Sequence, residues 1–181
     1  MKTRLSLISL FVVLTAIFST AVAQTSVIRN YDGVSSSYID ISNNKSSESS
    51  ERYVELRLQP AVSGQNPMIR FSFTSSPSAK YGGKAIWFEK GKSRYYKAVD
   101  DLDGKKFNSL MLYSDNFNLF ISIMQPQDKF SWGYICLISQ KTGNSTWINM
   151  TPKDIDEIMD LVSKEVKRLN FPKSQSSSLD I

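Results

Sequence analysis

Between residues 53 and 150 the chain alternates apolar and polar residues in short runs, and this pattern restricts the fold more than any other feature. A side-chain period of two belongs to extended strands with one buried face. Val54, Leu56 and Leu58 alternate with Tyr53, Glu55 and Arg57, and Ile69, Phe71 and Phe73 alternate with Arg70, Ser72 and Thr74. Further runs cover Lys84 to Glu89, Ser93 to Val99, Phe107 to Tyr113, Phe117 to Met124, Trp132 to Ser139 and Thr146 to Met150. Two weaker candidates, Ser26 to Asn30 and Ser37 to Ile41, flank the turn signal Tyr31-Asp32-Gly33. Most connections are short enough for hairpins, and no helical pattern intervenes to build parallel crossovers. The expectation is about nine or ten antiparallel strands in a strongly curved sheet or a barrel. Ile135 and Leu137 share one face, and Trp132, Tyr134, Cys136 and Ile138 the other, so this strand should be central and covered on both sides. Phe130, Trp132, Tyr134 and Trp147 form an aromatic group expected in the core.

One helix should follow the last strand. Thr151 suits the N-cap, Pro152 the first helical position and Asp154 the third. Ile155, Ile158, Met159, Val162, Val166 and Leu169 fall on one face at three- and four-residue steps. Acids lie at its start, and Lys164, Lys167 and Arg168 at its end, as the helix dipole favours. Pro172 prevents continuation, so the helix is expected over 152–169. The fold class is α+β, mainly antiparallel, with this C-terminal amphipathic helix packed on the sheet.

Residues 1–23 read as a cleaved signal peptide. Lys2 and Arg4 precede an apolar stretch, Leu5 to Phe18, and Ala21-Val22-Ala23 is a small-x-small cleavage site. The stretch is short for a membrane-spanning helix, so the processed chain is expected to be secreted or periplasmic and not membrane-spanning. Residues 24–171 form one β-rich domain, and 172–181 a polar tail expected to be disordered. Losing Lys2 and Arg4 leaves 20 basic residues against 17 acidic ones, a charge of +3 instead of +5. That excess is too small and too scattered for a nucleic-acid surface. Asn44, Asn144 and Asn149 each begin a glycosylation triplet, a pattern short enough to arise by chance in an Asn- and Ser-rich chain.

Composition also removes whole classes of chemistry. With no His, Ser-His-Asp and Cys-His catalysis and His-ligated metals are excluded. With one Cys, so are an intrachain disulfide and a cysteine zinc cluster. Cys136 reads as a buried small hydrophobe. Asp101, Asp103 and Gly104 resemble part of a calcium loop, but Val99 and Leu110 stand where ligands would be needed. An Asp-Gly hairpin turn accounts for them instead. No phosphate loop or Gly-x-Ser-x-Gly motif occurs, and no cofactor is expected.

The stretch Lys80 to Lys97 concentrates six basic residues and one acid, Glu89, among five aromatic residues. A two-residue loop at Lys90-Gly91 would place Trp87 opposite Arg94 and Ile86 opposite Tyr95. Trp87, Glu89, Lys92, Arg94 and Tyr96 would then share an outer, cationic face, with Ile86, Phe88 and Tyr95 inward. A one-residue slip swaps the faces. Lysine is also a poor residue for the positive φ of a type I′ turn, so a three-residue loop competes. The candidate binding residues are Trp87, Lys92, Arg94 and Tyr96, and an ordinary half-buried hairpin is the competing account.

In order of elements the chain resembles the plan of lipocalin-like and pleckstrin-homology-like barrels, through strand count and helix position alone; the first strand has no Gly-x-Trp motif. The leading expectation is an exported, non-catalytic module that binds a protein or an anionic ligand. A lipocalin-like carrier of a small apolar ligand is the first alternative, and a carboxylate-dependent hydrolase the second. Asp40, Glu55 and Glu89 are the acids inside strand runs, each on an outer face.

Overall fold

The computed structural model describes residues 25–36, 50–74, 84–114, 119–139 and 145–174. Nine strands are followed by one helix: β1 (Val27–Ser36), β2 (Ser50–Gln59), β3 (Met68–Thr74), β4 (Lys84–Glu89), β5 (Ser93–Leu102), β6 (Lys105–Ser114), β7 (Leu119–Pro126), β8 (Gly133–Ser139), β9 (Ser145–Met150) and α1 (Pro152–Arg168). The strands form one antiparallel sheet in the order β4-β3-β2-β1-β9-β8-β7-β6-β5, curled into a half-barrel. Every neighbour in that order is a chain neighbour except β1 and β9. The two edges, β4 and β5, are themselves consecutive in sequence. The expected mainly antiparallel sheet with one C-terminal helix is therefore what the chain forms.

The turn between β4 and β5 explains why the sheet ends there. Lys92 N–H donates to Glu89 O at 3.2 Å, and Gly91 alone takes a positive φ, 84°. A positive φ at the third position defines a type II turn, which splays its flanking strands. The turn between β5 and β6 is the contrasting case. Asp103 and Gly104 both have positive φ (52° and 74°), the type I′ form whose twist matches a paired ladder. There Leu102 pairs with Lys105, and nine more residue pairs follow. The Lys90-Gly91 hairpin expected from sequence is thus corrected. β4 pairs with β3, β5 pairs with β6, and Arg94 stands opposite Tyr113.

β1 also departs from expectation. It runs unbroken through Tyr31-Asp32-Gly33, where a turn is expected. A Cβ on Gly33 would lie 2.6 Å from Ile148 Cγ2 and 3.0 Å from Met150 Sδ, so this glycine marks a close approach to β9. The Ser37–Ile41 candidate lies outside the described residues, as do residues 1–24.

The inner face carries the core. Leu56, Ile69, Phe71, Phe88, Leu110, Leu112, Ile121, Ile123 and Ile135 pack with Ile155, Ile158, Val162 and Val166 of α1 in one cluster. The helix is capped as its sequence requires: Thr151 Oγ1 accepts from Asp154 N–H at 3.2 Å. It stops before Pro172. Asn170 takes φ 55°, Asn170 N–H donates to Lys167 O, and Phe171 N–H donates to Val166 O. That is a Schellman ending, with Phe171 and Val166 both buried. Residues just beyond dock on the β5 edge, where Tyr95 N–H donates to Pro172 O (3.1 Å) and Ser174 N–H to Tyr95 O (2.9 Å).

The outer face of β6–β9 holds a second apolar layer. Phe107, Phe120, Met124 and Cys136 are buried there, with Tyr134 packed between Phe107 and Trp147. β8 is accordingly buried on both faces. Two of the expected core aromatics do not join it. Phe130 is 93% exposed and Trp132 50% exposed, in the β7–β8 connection that Asp128 folds by accepting from the N–H groups of Phe130 and Ser131. Alternation begins only at Gly133, so neither residue has a strand to aim it inward.

Candidate functional site

Alternation along β2, β3 and β4 sends Leu56, Ile69, Phe71, Ile86 and Phe88 inward and leaves their neighbours on the outer face. Register then assembles that outer face in rows. Arg57 stands opposite Arg70, and Arg70 opposite Trp87. One rung on, Gln59 stands opposite Met68, and Met68 opposite Glu89. The β2–β3 connection closes one side of these rungs with a tight turn, in which Gln65 N–H donates to Val62 O at 2.8 Å and Gly64 takes φ 77°. The β4–β5 turn closes another side, tied across by Lys90 N–H to Pro67 O at 3.0 Å.

The result is a surface cleft of about 450 Å³ lined by Gln59, Gln65, Asn66, Arg70, Trp87 and Lys92, with Met68, Glu89 and Gly64 completing it. Its parts are tied to one another. Gln59 Nε2 donates to Gln65 Oε1 at 3.1 Å, and Lys92 Nζ pairs with Glu89 Oε2 at 2.7 Å.

The Nε atoms of Arg57 and Arg70 are both buried without a hydrogen-bond partner, and of the two only Arg57 has a carboxylate beside it. Arg57 pairs with Glu55 at 3.1 Å, and Lys92 with Glu89. Arg70 sits between these pairs, half-buried, and its Nε is buried with no hydrogen-bond partner. Its direct neighbours across the ladders are another arginine and an aromatic ring. A buried guanidinium N–H left unsatisfied is costly, and a like charge opposite adds to that cost. A bound anion would relieve both.

The four residues singled out from sequence separate into two places. Trp87 and Lys92 line the cleft. Arg94 and Tyr96 stand on the outer face of β5, opposite Tyr113 and Met111, at the other end of the strand order. Ile86, Phe88 and Tyr95 do face the core, as expected. Lys80 and Tyr81 lie outside the described residues. Arg70 was missed as a site residue although its signal was present. Counting outward from the middle of the Pro60–Pro67 loop already puts Arg57 opposite Arg70 on the outer face.

A second groove, about 510 Å³, lies between α1 and the β5 edge, lined by Lys97, Val99, Asn108, Leu110, Gln125 and Met159 among others. Among the described residues, no group of three or more His, Cys, Asp or Glu could hold a metal ion. No helix there is long and apolar enough to cross a membrane. Of the acids in strand runs, Glu55 and Glu89 are each ion-paired, and Asp40 lies outside the described residues. Comparison with known protein families, curated proteins and solved structures finds no match for this chain.

Proposed function

We propose that this protein is an exported, non-catalytic binding module that takes an anionic ligand in the outer cleft of β2–β4. One observation carries the reading: Arg70 is held half-buried beside Trp87, its Nε without a partner, while the charges flanking it are already paired. An arginine so placed has both the fork and the unmet hydrogen-bonding capacity to hold an anion. The inner face supports a surface site over an internal one, because large side chains from sheet and helix occupy it. The leader-like sequence of residues 1–23 supports export.

The test is calorimetric titration of the protein with small carboxylates, sulfates and phosphates, repeated on Arg70→Gln. Binding of at least one anion, weakened tenfold or more by the substitution, is expected. Binding that survives Arg70→Gln in a folded variant, or no binding at all, would sink the reading. Arg94→Gln is the control and should leave affinity within twofold, since Arg94 is not among the residues lining the cleft.

A further inference from the structure

Resting on that reading of the cleft, we infer that its ligand is a carboxylated saccharide of one or two rings, with the carboxylate on Arg70 and a ring face against Trp87. Charge selects the anion. Three cations and two acids meet on this face: Arg57, Arg70 and Lys92 against Glu55 and Glu89. Two of the cations are paired, at 3.1 and 2.7 Å, which leaves one positive charge unmatched. One unmatched charge balances a monoanion. A phosphate, close to doubly charged at neutral pH, would bring a second negative charge toward the two glutamates. The planar guanidinium also matches a carboxylate edge to edge through two parallel N–H donors.

The remaining lining selects the body that carries the carboxylate. Gln59, Gln65 and Asn66 bring three primary amides to the rim. Each amide offers both donors and an acceptor, the complement of a hydroxyl group. Trp87 and Met68 supply the apolar surface between them. A pyranose ring has this division, hydroxyls at its edge and C–H groups on its face, where the negative face of an indole attracts them. A flat aromatic acid would use Arg70 and Trp87 but make no use of Asn66 or of the donor and acceptor positions left open on the Gln59–Gln65 pair. At about 450 Å³ the cleft falls within the usual range for small-molecule sites. Its open, polar form suits a ligand that keeps much of its surface in water.

Calorimetric titration with glucuronic acid, its disaccharide-sized oligomers, glucose, glucose 6-phosphate and benzoate tests the assignment. The uronates are expected to bind at least tenfold more tightly than each of the other three. Arg70→Gln should abolish that preference, and Arg70→Lys should recover only part of it, because an ammonium lacks the fork. Gln65→Ala should weaken uronate binding severalfold and leave benzoate unchanged, which reads the amide rim without touching the ladder. Tighter binding of glucose 6-phosphate or benzoate through Arg70 would overturn the saccharide assignment while leaving the anion site standing. Equal binding of glucose and glucuronic acid would overturn it too, and absence of binding by every anion would remove both.

Discussion

Gly133 shows how one missing side chain positions the helix. A Cβ there would lie 2.4 Å from Ile155 Cγ1 and 2.7 Å from Cγ2, far inside contact distance. Ile155 is fully buried, so neither partner can move aside cheaply. Gly133→Ala should therefore lower the unfolding free energy by about 1–3 kcal/mol, the usual cost of overpacking a filled core, as urea denaturation would measure. Cys136 gives a pH-dependent counterpart. Burial pushes its thiol from the ordinary 9.0 up to about 12. The unfolded chain then ionises first, so stability is full below about pH 9 and is lost as pH rises from there toward 12. Tyr31 is raised in the same direction, by burial and by the nearby charge of Glu157, and steepens the loss above its ordinary 10.0. Cys136→Ala should flatten the stability curve across the span from pH 9 to about 12, and the interval between pH 9 and 10 reads the thiol before the tyrosine contributes. An unchanged slope over that interval would show that the thiol is not held protonated by the fold. The thiol should also resist alkylation at pH 8 until denaturant is added.

At the scale of elements, the decisive feature is a two-residue turn. Lys90-Gly91 and Asp103-Gly104 look alike in sequence, yet one ends the sheet and the other continues it. Aspartate tolerates the left-handed conformation at the first central position and lysine does not, so only Asp103-Gly104 adopts the hairpin form. A type II turn ordinarily welcomes proline where Lys90 stands. Here Lys90→Pro should still destabilise, by about 1–3 kcal/mol, because Lys90 N–H holds the turn to Pro67 O and proline has no N–H. Thermal unfolding of this variant beside Lys90→Ala, which keeps the bond, would separate the two effects; equal midpoints would refute the tether. The same contrast marks how far sequence carried the fold. Strands, helix and inward faces followed from period and caps, which are local. Strand order depended on whether a lysine accepts positive φ, and the warning was legible at Lys90. What could not be read was where β5 goes once it leaves β4. Half of the candidate site was lost with that pairing, because Trp87 takes its cross-strand partner from β3 and not from β5. The continuity of β1 was hidden for a different reason. Gly33 looks like a turn residue until the packing of Ile148 and Met150 against it is known.

As a whole, the molecule is two antiparallel lobes joined by a narrow ladder. Among the described residues, β1–β4 and β5–β9 are joined by strand pairing only where Val34, Ser35 and Ser36 pair with Asn149, Ile148 and Trp147. Each ladder inside a lobe runs six to ten pairs. Three rungs are too few to couple the lobes, so the inner core and α1 must do so. Phe71 and Phe88 from one lobe and Leu112 and Ile121 from the other share a single cluster with Ile158 and Val162. Polar contacts repeat the arrangement: Glu157 pairs with Arg29 on β1 at 3.2 Å, and Asp156 accepts from Gln125 on β7 at 2.7 Å. The two lobes should therefore unfold together despite their thin seam. Tryptophans on both sides make this measurable. Trp132→Phe with Trp147→Phe leaves Trp87 reporting on the first lobe, and Trp87→Phe leaves the other two reporting on the second. Within each variant, fluorescence and far-ultraviolet circular dichroism should give one coincident urea transition. Adding Ile158→Ala should lower stability by about 2–5 kcal/mol by both probes in both backgrounds, since this fully buried helix residue belongs to the one cluster that side chains of both lobes share. If fluorescence and circular dichroism separated, or if Ile158→Ala moved only one lobe, the helix would not be the element that joins them. The cleft of β2–β4 would then rest on the stability of β1–β4 alone.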